Sequence, residues 1–284
     1  MPSFTRFAPS PTGFLHRGHL LSALWVWGMA ERFGLPVLLR IEDHDQSRAR
    51  PEFVAAIRED LIRFGFRWER ASIQSERDAL YRRYFEFLQD EGLVYPCSCS
   101  RKSLSGERYP GFCRDREVPD PGTDGLTFRF RIPEGIRIVW DDLRLGSFEE
   151  NPSEPCGDFA LRDRLNQWTY QFAVCVDDID EKVDLVVRGE DLRDSTARQI
   201  LLMRFLGRET PPRYLHHPLL FSASGEKLSK RFHAVSLRGE LESGISPEEI
   251  LGSVCFEAGL LDKKAVISLR EAISLILQCS KSFF

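Results

Sequence analysis

Over residues 1–96 the apolar positions switch repeatedly between two spacings. "FTRFA" predicts a first strand, and Leu20, Ala23, Leu24, Trp27 and Ala30 then recur at helical spacing between His19 and Phe33. Gly34 closes that segment, as a residue at ease in the left-handed region does at a helix end. "PVLLRIED" is a continuous apolar run ending in acid, the pattern of a buried parallel strand whose carboxyl end meets a site. Pro51 marks a helix start ahead of "EFVAAIREDLIRFGF", and "SERDALYRRYFEFLQDEG" gives an amphipathic helix capped by Gly92. This alternation predicts an α/β fold, a Rossmann-like doubly wound parallel sheet with crossover helices.

The pattern changes over residues 97–165. "VPDPGTDG" reads as loop, while "LTFRFRI" and "IRIVWDDL" alternate like antiparallel strands, so this segment reads as an insertion between halves of the sheet. The doubly wound pattern returns over residues 166–231 with "WTYQFAVCVDDID", "VDLVVRGEDL" and the helix "STARQILLMRFLG", where Ser195 is a candidate N-cap. Residues 232–284 form a short helical tail, in which Ser246 and Glu249 predict a capping box.

Composition narrows the function classes. The 284 residues are 42% hydrophobic and 29% charged, as in a soluble globular protein. No apolar run of about 18 residues exists, so no membrane span is expected. "MPSFTRFAPS" lacks the basic and apolar segments of a signal peptide, and a cytoplasmic monomer is the expectation. A net charge of −4 argues against sequence-blind nucleic-acid binding through bulk charge. Seven cysteines, an odd number, argue against a disulfide framework. Of 39 basic residues only seven are lysine, which makes each lysine worth locating.

The stretch "RFAPSPTGFLHRGH" sets His16 and His19 around Gly18 where the first helix begins. A helix N-terminus offers unbonded N–H groups and a positive dipole end, so an anion is favoured there. Imidazole N–H groups would add donors, and Gly18 leaves room for an adenine ring. The glycine fingerprint G-x-G-x-x-G is absent. Downstream, "SASGEKLSKRF" places Lys227 and Lys230 three apart in a Gly/Ser loop. Lysine is a flexible point charge suited to following phosphate oxygens.

In this order the two segments resemble the HIGH and KMSKS signatures of class I aminoacyl-tRNA synthetases, the first being very close to the glutamyl branch. Leu228 in place of Met and Arg231 in place of the final Ser are the small departures. The resemblance implies that His16, Gly18, His19, Lys227 and Lys230 bind ATP with its Mg²⁺, and that His16, His19 and Lys230 act in catalysis. It further implies that Arg6, Ala8, Ser10, Glu42, Tyr170 and Arg188 bind glutamate. Arg6, Ala8 and Ser10 alternate along the first strand, Glu42 ends the second, and Tyr170 and Arg188 lie on or near later strands. Two arginines, an acid and a phenol suit two carboxylates and one ammonium. Two divisions fit: Arg6 on the side-chain carboxylate with Arg188 on the α-carboxylate, which is the reading taken, or the reverse.

"CSCSRKSLSGERYPGFC" crowds Cys97, Cys99 and Cys113 together, as structural zinc sites do, yet the nearest histidine in sequence is His44. Tyr109 is either the fourth ligand or a packing residue, with water or another side chain completing the site. The C-x-C…Y-x3-C pattern resembles the insertion of glutamyl-queuosine tRNA(Asp) synthetases, stand-alone relatives of the glutamyl enzymes, in which zinc is held this way. That resemblance implies one structural Zn²⁺ on Cys97, Cys99, Tyr109 and Cys113. It also implies a two-step reaction: glutamate and ATP give glutamyl-adenylate without tRNA, and glutamate then passes to queuosine at the wobble position of tRNA(Asp). The short tail and the Cys-Tyr-Cys insertion argue against the alternative of charging the tRNA 3′ end. The pocket residues argue against a small-molecule nucleotidyltransferase.

Overall fold

The computed structural model describes residues 3–99, 108–116, 125–220 and 236–283. Its strands are β1 (Phe4–Phe7), β2 (Val37–Ile41), β3 (Arg70–Ile73), β4 (Val94–Cys97), β5 (Thr127–Phe130), β6 (Ile138–Asp142), β7 (Gly146–Glu150), β8 (Ala160–Arg162), β9 (Val183–Gly189) and β10 (Arg213–His217). The α-helices are α1 (Arg17–Phe33), α2 (Pro51–Arg63), α3 (Asp78–Asp90), α4 (Ser153–Cys156), α5 (Tyr170–Asp180), α6 (Thr196–Phe205), α7 (Leu237–Glu242), α8 (Pro247–Glu257) and α9 (Leu269–Cys279).

A seven-stranded sheet runs in the order β3–β2–β1–β9–β10–β6–β7, parallel except for the β6–β7 hairpin at one edge. The strand order reverses between β1 and β9, and crevices for ligands open beyond the carboxyl ends of strands at such a point. Side chains of successive residues leave the sheet on opposite faces. Leu185 and Val187 of β9 accordingly join a core with α1, α8 and α9, while Val186 joins the other core with α5 and α6.

Gly34 ends α1 in the left-handed conformation, with φ of 63°. Gly28, inside that helix, is required by packing: a Cβ there would sit 2.6 Å from Ile276 Cγ2 of α9. The tail is therefore seated on α1. Both α8 and α9 start with complete capping boxes, Ser246 with Glu249 and Ser268 with Glu271. No described helix is long and apolar enough to cross a membrane.

Four features differ from the sequence expectation, the first being that β1 ends at Phe7, so Ala8 and Ser10 lie beyond the strand and not on it. Strands from the 97–165 segment divide between two sheets: β5 pairs with β4 and with β8 in a small antiparallel sheet, whereas β6 pairs in parallel with β10 in the main one. The alternating burial of Ile138, Trp140 and Asp142 turns β6 onto the second core. "YQFAVCVDDID" is helix α5, with Tyr170 its first residue, not a strand position. Ser195 precedes α6 but does not cap it; a short 3₁₀ segment runs straight into that helix, and the Ser195 hydroxyl accepts instead from Gln171 Nε2 at 2.9 Å.

Candidate active site

The pocket at the strand-order reversal has a volume of about 580 Å³, within the usual range for small-molecule sites. Arg6, Ala8, Ser10, His16, Gly18, His19, Glu42, Tyr170 and Arg188 all line it. Residues spread over more than 180 sequence positions are thus brought together. Lys227 and Lys230 lie outside the described residues. Beyond them, Ser236 forms a β-bridge with His16, while Leu237 N–H donates to Leu15 O at 2.8 Å. Arg17 Nε–H donates to Glu240 Oε1 at 3.0 Å and ties α7 to the start of α1.

His16 is the N-cap of α1. Its Nδ1 accepts from Gly18 N–H at 3.1 Å, and His19 Nδ1 accepts from His16 N–H at 3.2 Å. A ring nitrogen that accepts carries no proton, so in both neutral imidazoles the hydrogen is on Nε2. The two rings lie 3.8 Å apart, centroid to centroid. Capping therefore sets the tautomer of both side chains, and the donor at each is Nε2–H.

Arg6 projects from β1 into a buried network of charge. Its Nε lies 3.4 Å from Asp178 Oδ1, and its Nη1–H donates to Val187 O at 3.2 Å. Arg40, on the otherwise apolar β2, is fully buried and holds the same acid, Nη2 to Asp178 Oδ1 at 2.7 Å. Arg40 also pairs with Glu181, and Arg77 pairs with Asp177 at 2.7 Å. Gln74 Nε2–H and the Tyr81 hydroxyl donate to Asp177 as well. Glu42, at the end of β2, is buried against this network; desolvation pushes its carboxyl up to about 7 despite the opposing pull of Arg40 and Arg6.

Arg188 is held differently. It is 5% exposed, and its side-chain hydrogen-bond partners among the described residues are amide, hydroxyl and imidazole groups. Nη1–H donates to Gln199 Oε1 at 2.7 Å and, at 3.5 Å, to Tyr170 OH; Nη2–H donates to Thr196 Oγ1 at 2.8 Å; Nε–H donates to His216 Nε2 at 3.0 Å. Among the described residues no carboxylate lies within ion-pair distance of it. Sequence reading found none of Gln199, Thr196, His216 or Asp178. His217, next in the chain after His216, lines the pocket itself and is pulled down to about 4 by burial.

Away from the pocket, Cys97, Cys99 and Cys113 carry free thiols whose sulfurs all lie within 4.8 Å of one another. Tyr109 joins them: its OH accepts from Cys113 N–H at 2.9 Å and lies 3.5 Å from Cys97 Sγ. Arg129 stacks over the Tyr109 ring at 3.8 Å. Three soft donors and an oxygen converging in a largely buried cluster form a donor set that fits a small metal ion.

Residues 4–118 and 116–261 match the family "tRNA synthetases class I (E and Q), catalytic domain". The chain belongs to this family. Among relatives, the chain is 39% identical over 295 residues to the glutamyl-Q tRNA(Asp) synthetase of Symbiobacterium thermophilum, covering 94% of this chain and 90% of that protein. It is 44% identical over 246 residues to the protein of the same name from Burkholderia cenocepacia strain HI2424, covering 82% and 81%. A solved glutamate tRNA ligase from Elizabethkingia meningosepticum, in complex with its amino acid, superposes with a TM-score of 0.79 at 26% identity, covering 100% of this chain and 69% of that one. Membership makes the chain a ligase-type enzyme, and the parallel sheet with its crossover helices is the family's catalytic fold.

Proposed function

We propose that the chain activates glutamate with ATP and passes the glutamyl group to queuosine of tRNA(Asp). The observation that carries the first step is Arg188, a buried guanidinium surrounded by neutral acceptors. A buried cation with no carboxylate at ion-pair distance among the described residues calls for an anionic ligand. Glu42 supplies an acid for the ammonium, and the Nη end of Arg6 faces the pocket with most of its donors uncommitted among the described residues. Two guanidiniums and one carboxylate complement glutamate and leave glutamine one charge short.

In this reading the α-carboxylate of glutamate attacks the α-phosphorus of ATP. The bond to the bridging oxygen breaks, and pyrophosphate leaves with its electron pair. The nucleophile is already ionised at neutral pH, so no base is required. Nε2–H of His16 and of His19 donates toward the phosphates beside the N-terminus of α1, Lys227 helps to bind ATP, and Lys230 holds the departing pyrophosphate. Mg²⁺ accompanies ATP and offsets phosphate charge. The second step has support of another kind, the names of the relatives that cover most of this chain. Cys97, Cys99, Cys113 and Tyr109 would hold zinc, whose contribution is to order the small sheet.

Pyrophosphate exchange without tRNA tests the first step. Strong exchange with glutamate and at least ~100-fold weaker exchange with glutamine is the expected result. Equal exchange with both would sink the pocket assignment. Labelled glutamate should then appear on tRNA(Asp) that carries queuosine and not on the same tRNA lacking it; label at the 3′ end would establish the alternative acceptor.

A further inference from the structure

The contacts of Arg188 run on into a second layer. Its Nε–H donates to His216 Nε2 at 3.0 Å, and His216 Nδ1 lies 2.6 Å from Asp142 Oδ2. Thr196 Oγ1 also approaches the same Nε2, at 3.3 Å. Asp142 is held in turn by three backbone donors: His216 N–H to Oδ2 at 3.0 Å, and Arg144 and Leu145 N–H to Oδ1 at 2.9 Å each. His216 is fully buried and Asp142 is 4% exposed, and neither is among the residues that line the pocket.

We infer that Asp142 and His216 are positioning residues that hold Arg188 in its substrate-facing orientation without neutralising its charge. The inference rests on the proposed role of Arg188 in binding a substrate carboxylate. Asp142 accepts the proton-bearing Nδ1, so Nε2 presents a lone pair to the guanidinium. Burial and the nearby Arg188 hold the ring below its ordinary value, against the pull of Asp142, which keeps it neutral. A carboxylate placed directly on Arg188 would position it equally well but would compete with the substrate for the same charge. An imidazole in between passes on the orientation and keeps the anion one ring further away. Arg6 carries the contrast, with Asp178 at its Nε.

The arrangement also assigns a task to the turn that joins β6 and β7. Asp142 ends β6, and Arg144 in that turn donates through Nε to His216 O at 2.6 Å. The edge hairpin from the 97–165 segment thus reaches an arginine of the pocket through two side chains.

Glutamate-dependent pyrophosphate exchange with His216→Leu, His216→Gln, Asp142→Asn and Arg188→Ala, with melting temperatures measured alongside, tests this. His216→Leu removes the acceptor and should raise the glutamate KM about ten-fold or more, with the ATP KM and kcat little changed. His216→Gln keeps a neutral acceptor where Nε2 stood and should recover most of that loss. Asp142→Asn leaves one acceptor oxygen for four N–H donors, those of His216 N, His216 Nδ1, Arg144 N and Leu145 N, and should behave like His216→Leu. If His216→Leu is too unstable to assay, the contrast between Asp142→Asn and His216→Gln decides alone. An unchanged glutamate KM in Asp142→Asn, or no recovery in His216→Gln at an unchanged melting temperature, overturns the inference. An unchanged glutamate KM in Arg188→Ala instead overturns the pocket assignment on which it rests.

Discussion

The two arginines of the pocket occupy opposite electrostatic settings. Arg6 stands at the rim of a network in which Arg6, Arg40 and Arg77 face Asp177, Asp178 and Glu181, so its charge is largely matched by the protein itself. Arg188 meets only amide, hydroxyl and imidazole acceptors among the described residues. The first arrangement contributes to folding as well as to the site, since breaking a buried pair strands its partner. The second leaves a charge for the ligand to satisfy. Buried guanidiniums on neighbouring strands can thus differ in what depends on them, stability in one case and ligand affinity in the other.

Alanine at each position should separate the two. Arg188→Ala is expected to reduce kcat/KM for glutamate by about 100-fold or more, with a small change in melting temperature, because the groups left behind are neutral. Arg6→Ala should also weaken glutamate, but with a loss of stability of ~3 kcal/mol, because Asp178 keeps only Arg40. Equal melting temperatures for the two variants would remove the distinction.

Glu42 sharpens the contrast through pH. Its carboxyl is raised to about 7 by burial in the folded protein, above its ordinary value of 4.5. The sign follows from linkage: below 4.5 the proton is bound in both states, and as pH rises from 4.5 to about 7 the unfolded chain ionises first. The unliganded protein therefore loses this part of its stability across that window. Only ionised Glu42 balances the charge of the ammonium, so the glutamate KM should climb as pH falls below about 7. Glu42→Gln should flatten both profiles and stabilise the unliganded protein at pH 8 while weakening glutamate. A wild-type glutamate KM independent of pH between 5.5 and 8 would contradict this.

The smallest effects belong to the cysteine cluster, which lies outside the pocket. Cys99→Ser should lower bound zinc and the melting temperature by several degrees and weaken glutamyl transfer to tRNA, with pyrophosphate exchange largely kept. Tyr109→Phe should act in the same direction more mildly, since three thiols remain. Purified protein free of metal would exclude the site, and a variant that kept its stability yet lost exchange would move the metal into the chemistry.

The parts of the site that sequence reveals are those fixed by local rules. The turn before α1, the acid at the end of β2 and the arginine on β1 follow from periodicity and resemblance, and all line one pocket. Their support does not follow, because it is contact between distant segments: Asp142 and His216 stand 74 positions apart, and Arg6 and Asp178 meet across most of the chain. Faint signals did exist. Arg40 interrupts the apolar run of β2, and the acids of "VDDIDE" fall on the buried side of α5 and at its end. A charge inside a core element requires a partner, and these were the partners of one another. The period of "YQFAVCVDDID" is blurred for a related reason: α5 is buried on several sides, which erases the polar face that marks a helix.

The contact between Gly28 and Ile276 sets a limit on modularity. In many multi-element proteins a terminal helix pair can be trimmed or exchanged as a cassette. Here α9 presses so closely on α1 that no side chain fits between them, and Ile250, Leu251 and Val254 of α8 share the same core. The helix that would be laid bare is the one whose first turn holds His16 and His19. For anyone redesigning the chain, the natural place to cut is therefore not the junction between the sheet and the tail, because the tail is part of the floor on which the pocket is built.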